Sequence, residues 1–324
     1  MVLVMVTAGR MNSRLPTIYQ CNCKNRNMEQ TRVKFISYWF MVMVALLCSC
    51  SSDDDNTPQD DNSGRRMRQL TISNVSMNTR AAINPSTYEA TWETTDGPTY
   101  INLSALAEGL HYGTLAPSTA GASTTLTGSV YCNQGDNIAI VLPTVTSVLP
   151  SGGGAYFTIY LNGQKGTLAD IGARYHYIYG VGTVTATDGS TATGTISNTK
   201  SLLSLCKFTF THNESTVSVK SVKIGWGTGG DAGYPQTGTV SLLADPESVH
   251  VTPDSGPYSG PLSITLDDAN AAGVVYVALF PCSDKLTFHF TVSDGTNTYT
   301  ATKTAKMLEG RYYEVPVAVV KPEP

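Results

Sequence analysis

Residues 175–187 read YHYIYGVGTVTAT and run straight into Asp188-Gly189. Aromatic and β-branched side chains recur there at alternate positions, the spacing of a strand rather than of a helix, and such side chains suit a pleated, half-buried surface. Asp-Gly supplies the positive φ that a two-residue type I′ hairpin turn needs, so a second strand is expected directly beyond it. Working outward, the same texture returns at 137–142 (NIAIVL), 155–161 (AYFTIYL), 206–211 (CKFTFT), 217–224 (VSVKSVKI), 274–280 (VVYVALF) and 286–292 (LTFHFTV), with a second hairpin signal at Asp294-Gly295. Short strands separated by turn clusters predict an all-β protein of sandwich type. The one helical signal, residues 103–110, lacks the length of a full helix and is expected to form no more than a turn.

Composition agrees. The chain has 324 residues, enough for two domains of ordinary size, and only 14% are charged, against about 25% in typical soluble domains. Ser and Thr together make up roughly a fifth of the chain, while the helix formers Lys, Glu and Leu are sparse. A Thr/Ser/Gly-rich stretch from Asp188 to Lys200 gives way to apolar residues after 201, which places a boundary near residue 200 and divides the body into 70–200 and 201–324. From residue 51 onward 15 basic residues face 24 acidic ones, a balance of −9. Such a surface repels phosphate backbones, so nucleic acid is not an expected partner.

The N-terminus reads as an address. Residues 35–47 (FISYWFMVMVALL) form an uncharged, mostly apolar run behind Arg32 and Lys34, the basic and apolar regions of a secretory signal, and too short to span a bilayer. Leu47-Cys48-Ser49-Cys50 follows, a lipobox pattern that makes Cys50 the expected lipidation site and first residue of the mature chain, anchored to the outer membrane by buried acyl chains. Met28 is a more natural start than Met1, so 1–49 is signal region with an upstream stretch that has no role in export. The acidic tract that opens with Asp53-Asp54-Asp55 makes residues 50–69 a solvated tether, and resembles the signal that sends lipoproteins to the outer face of the outer membrane.

Chemistry-bearing patterns are few. The five histidines (His111, His176, His212, His250, His289) lack metal-ligand spacing, there is no Gly-x-Ser-x-Gly elbow, and the carboxylates suggest no acid/base pair. Gly225-Trp226-Gly227-Thr228-Gly229-Gly230 matches Gly-x-Gly-x-x-Gly, but no helix follows to hold a pyrophosphate, so it reads as an inter-strand loop. No cofactor, metal or catalytic residue is expected, and the chain is not read as an enzyme. Cys132, Cys206 and Cys282 leave one disulfide open, although Cys206 in an apolar strand reads as a small buried hydrophobe. Trp92, Trp226, Tyr175, Tyr177 and Tyr179 could stack sugars; at period two the tyrosines share one face, which favours packing between sheets.

Several of these features together resemble the fimbrillin family, the subunits of type V pili. They are the lipobox, the acidic tether, the strand-like residues 70–77 (LTISNVSM) and then Thr79-Arg80-Ala81. Further along, Gly135-Asp136-Asn137-Ile138 through Leu142-Pro143, residues 205–212 with 222–224 and 238–240, and the closing runs 277–281, 286–290 and 308–317 also look like that family. The resemblance covers most of residues 70–320 and rests on the combination. It implies two tandem transthyretin-like β-sandwiches behind the lipidated leader, and a trypsin-like maturation protease that cuts after Arg80. The cut would release the first strand, with Leu70, Ile72, Val75 and Met77 as its inserted side chains. The exposed sheet edge is a template for another chain, so other fimbrial subunits are the implied partners through donor-strand exchange, in a head-to-tail array that forms a filament. The implied location is the outer membrane surface, then the fimbrium. Only Lys-Pro-Glu-Pro follows the last strand-like run (311–320), with Pro316 suited to an edge, which suggests a tip-like adhesin that presents a free domain to a host or bacterial surface ligand. The alternative is a glycan-binding lipoprotein that stays tethered to the outer membrane, which exposed Trp or Tyr on one flat patch would favour.

Overall fold

The computed structural model describes residues 64–323, apart from 77–81, 84–89, 152–153, 228–232, 257 and 259. All described residues lie in the compact unit 55–324. The expected lipidation residue Cys50, the cleavage residue Arg80 and Met77 lie outside the described residues.

The described chain is mostly β-strand, arranged in sandwich-like sheets. The largest sheet has eight strands, in the order Tyr112–Thr114, Thr99–Asn102, Asn137–Leu142, Ile178–Asp188, Thr191–Ser201, Arg66–Ser76, Ser123–Cys132 and Ala116–Pro117. Arg66–Ser76, called β1 below, is therefore an interior strand. It runs parallel to Thr191–Ser201 and antiparallel to Ser123–Cys132.

A four-stranded sheet follows, ordered Val251–Pro253, Thr237–Leu242, Gly154–Tyr160 and Leu149–Ser151. Its central pairing, Phe157 opposite Val240, joins sequence from both sides of residue 200. Beyond residue 200, Ser204–His212 pairs antiparallel with Val274–Leu279 and parallel with Tyr312–Ala318. A further sheet is ordered Leu262–Asn270, Val219–Trp226, Cys282–Ser293 and Thr298–Met307. Pro316 sits on Tyr312–Ala318 at the margin of its sheet, where a missing N–H breaks no ladder.

Alternation along the strands creates two hydrophobic clusters. The smaller is built on the eight-stranded sheet and contains Leu70, Ile72, Val75, Trp92, Leu126 and Ile140 among others. The larger runs from Ile101 to Val319 and includes Phe157, Tyr179, Phe208 and Phe290. Residues 139 and 141 belong to the larger cluster and 138, 140 and 142 to the smaller, so the strand Asn137–Leu142 is buried on both faces and reads as an unbroken apolar run.

Three local expectations are corrected. Residues 171–175 wind helically behind Thr167, whose hydroxyl accepts from Asp170 N–H, so the strand starts at Ile178 rather than at 175. The Asp188-Gly189 hairpin closes through Gly189 and Ser190, with Asp188 opposite Thr191. Only Gly189 has positive φ (52°), whereas type I′ requires it at both loop residues. The Asp294-Gly295 turn is longer, because the flanking strands end at Ser293 and resume at Thr298. Residues 103–110 yield only a short 3-10 helix, Leu103–Glu108, about two turns long and capped by Asn102.

Candidate functional site at the first strand

β1 begins at Arg66, four residues before the expected first position of the folded body. Leu70, Ile72 and Val75 are each 1% exposed. Strict alternation would place residue 74 inward after 70 and 72. Instead the register against Ser123–Cys132 shifts between Ile72 and Val75, and Asn74 adopts a left-handed φ of 56°. This bulge inserts one residue and returns Val75 to the core; Asn is one of the few residues that enter that region readily. Burying three such side chains is worth about 1.5–3 kcal/mol each.

Both ends of β1 are fixed. At its C-terminal end the indole N–H of Trp92, itself 0% exposed, donates to the Val75 carbonyl at 2.9 Å. At its N-terminal end two arginines reach over neighbouring turns. Arg68, buried among carbonyls, donates to the Cys132, Gly189 and Gly64 oxygens. Arg65 forms a fork on Asp136, Nε to both carboxylate oxygens at 3.0 and 2.9 Å and Nη2 to Oδ1 at 2.9 Å, and also pairs with Glu108. The hydrogen bonds to Asp136 hold the Arg65 guanidinium above its usual range. Asp136 is 3% exposed and accepts further from Asn102 Nδ2 at 2.8 Å and Asn133 N at 2.9 Å. Its carbonyl takes the Val184 N–H at 2.9 Å, which ties its turn to the middle of the sheet.

The arrangement is a strand held by side-chain insertion along its length and by polar clasps at both ends. Leu70, Ile72 and Val75 come together there; Cys50, Arg80 and Met77 lie outside the described residues. Sequence reasoning missed Arg65, Arg68, Asp136 and Trp92 as members. The available signal was Asp136 within Gly135-Asp136-Asn137, a turn carboxylate beside an apolar strand.

The remaining candidates disperse. Trp92, Tyr175, Tyr177 and Tyr179 are core residues. Trp226 is half-buried, and its ring meets Tyr258 at 6.4 Å and 63°, so the two rings make no flat platform. Gly225 and Trp226 end a strand. Cys132, Cys206 and Cys282 are free and buried; Cys206 and Cys282 both contact Met307. His111 stacks on Tyr131, His250 pairs with Glu309, and His212 and His289 bond to backbone carbonyls. Among the described residues no three His, Cys, Asp or Glu are grouped to hold a metal ion.

No protein-family model matches the chain, and no curated protein matches it. Among solved structures it is similar to a candidate cell adhesion protein from Bacteroides ovatus ATCC 8483, at 15% identity over 80% of this chain and 97% of that one, with a TM-score of 0.48. A candidate cell adhesion protein from Bacteroides uniformis ATCC 8492 gives 11% identity over 80% and 94%, with a TM-score of 0.46. A shaft pilin from Lactobacillus rhamnosus GG gives 10% over 80% and 100%, with a TM-score of 0.32.

Proposed function

We propose that the chain is a surface-exported lipoprotein subunit of a fimbrium, lipidated at Cys50, matured by a trypsin-like protease that cuts after Arg80, and assembled by replacement of β1 with a strand from another subunit. The observation that carries this reading is the position of β1. An N-terminal segment, followed within a few residues by Thr79-Arg80-Ala81, lies between two strands of the main sheet with Leu70, Ile72 and Val75 buried. Its removal would open two unpaired edges and an apolar groove, which an extended segment from a neighbour fills through main-chain hydrogen bonds and alternate side-chain pockets. The accompanying domain reading is two tandem transthyretin-like sandwiches, 70–200 and 201–324, with the pairing of Gly154–Tyr160 and Thr237–Leu242 crossing the division.

N-terminal sequencing of protein shed from the cell surface tests the proposal. A mature start at Ala81 supports it; a start at Cys50 in assembled fibres refutes it. A tip position is the finer form of the reading, and self-polymerisation of the processed chain would count against it.

A further inference from the structure

The groove that β1 fills carries charge as well as apolar surface. Asp136 keeps two neutral donors of its own, Asn102 Nδ2 and Asn133 N, and among the described residues its ion-pair partner is Arg65, which leaves with the strand. Glu108 pairs with the same guanidinium, so the emptied end of the groove would hold two carboxylates, one of them 4% exposed at its side chain. A buried carboxylate stripped of its partner is strongly unfavourable, and an apolar side chain cannot restore it.

On the strand-replacement reading above, we propose that the incoming strand is selected for a basic residue at the place of Arg65, five positions ahead of the residue that takes the place of Leu70, and that Asp136 pins its register. The occupant is an extended segment of another subunit bearing Arg or Lys and then apolar residues in the spacing of Leu70 and Ile72. Arg fits best, because three of its N–H donors already match the carboxylate in a fork. Charge and alternation enforce the same alignment: a slip of one residue turns every apolar side chain to the wrong face and carries the cation off Asp136.

The test uses the full chain with a specific protease sequence inserted between Ser76 and Ala82, so that β1 is nicked without being altered. Exchange of the nicked strand is followed with labelled peptides of residues 64–76, native or carrying Arg65→Gln. The native peptide is expected to bind at least tenfold more tightly, and Asp136→Asn in the body is expected to cut that difference to less than threefold, with Glu108 supplying what remains. Equal binding of both peptides to the unaltered body overturns the pin and leaves strand replacement standing. Entry of neither peptide overturns both.

Discussion

Trp92 donates its indole N–H to the Val75 carbonyl at 2.9 Å, across 17 positions of sequence and inside a site closed to water. The bond joins the end of β1 to a residue that the chain reaches only after the expected cleavage position, so it holds the strand from outside the strand. Trp92→Phe keeps most of the ring but removes the donor and leaves a buried carbonyl short of a partner. It is expected to cost about 2 kcal/mol or more, measured by denaturant unfolding, and to speed release of β1 once the chain is nicked. An unchanged release rate would show that the bond does not hold the strand.

Two positions of β1 should respond unequally to truncation. Leu70 is 1% exposed and Met67 is 55% exposed. Leu70→Ala is expected to destabilise by about 2–5 kcal/mol and Met67→Ala by less than about 0.5 kcal/mol. Comparable losses at both sites, read from unfolding midpoints, would contradict the facing of the strand.

Cys132 reports on β1. It is 0% exposed, its backbone lies opposite Arg66, and its carbonyl is held by Arg68. Burial pushes its thiol up to about 11, and burial also raises Cys206 and Cys282. All three should resist alkylation at neutral pH in the intact fold, since the thiolate is the reactive form. After nicking and removal of β1, peptide mapping should find Cys132 modified and Cys206 and Cys282 protected. Simultaneous labelling of all three would mean that the body unfolds when the strand leaves.

Asp294 predicts an acid-side effect. Hydrogen bonds from the Asn297 backbone first, then from the Asn297 amide and the Thr296 backbone, hold its carboxyl well below the usual range. A depressed carboxylate favours the fold while ionised, so its contribution is complete above about pH 3.9 and is lost as pH falls through the folded value. Asp294→Asn should therefore lower Tm at pH 7, with the gap closing below about pH 4. A gap that persists unchanged in acid would assign the effect to packing of the loop.

Strand existence was legible because it is written locally. Residues 137–142 match the observed strand Asn137–Leu142 end for end, where the turn Gly135-Asp136 and then Pro143 mark both limits. The set Leu70, Ile72, Val75 and Met77 is implied by the family resemblance rather than by alternation; the fold buries the first three, Val75 through a bulge that alternation does not foresee. Partners were not legible. The parallel pairing of β1 with Thr191–Ser201, and that of Gly154–Tyr160 with Thr237–Leu242, join segments far apart in sequence, and nothing in either segment names the other. The clasp was missed for the same reason, since Arg65 and Asp136 stand 71 positions apart. The late start at Ile178 reflects the Thr167 cap and the Asp170–Arg174 pair, which compete with strand propensity over a few residues.

The division of the interior has a mechanical corollary. β1 supplies side chains to the smaller hydrophobic cluster, and the larger one draws on no described residue before Ile101. Loss of the strand would therefore flood one compartment while the bulkhead formed by Asn137–Leu142 and Ile178–Asp188 keeps the other dry. On the strand-replacement proposal, this partition would let one compartment be rebuilt while the other stays folded.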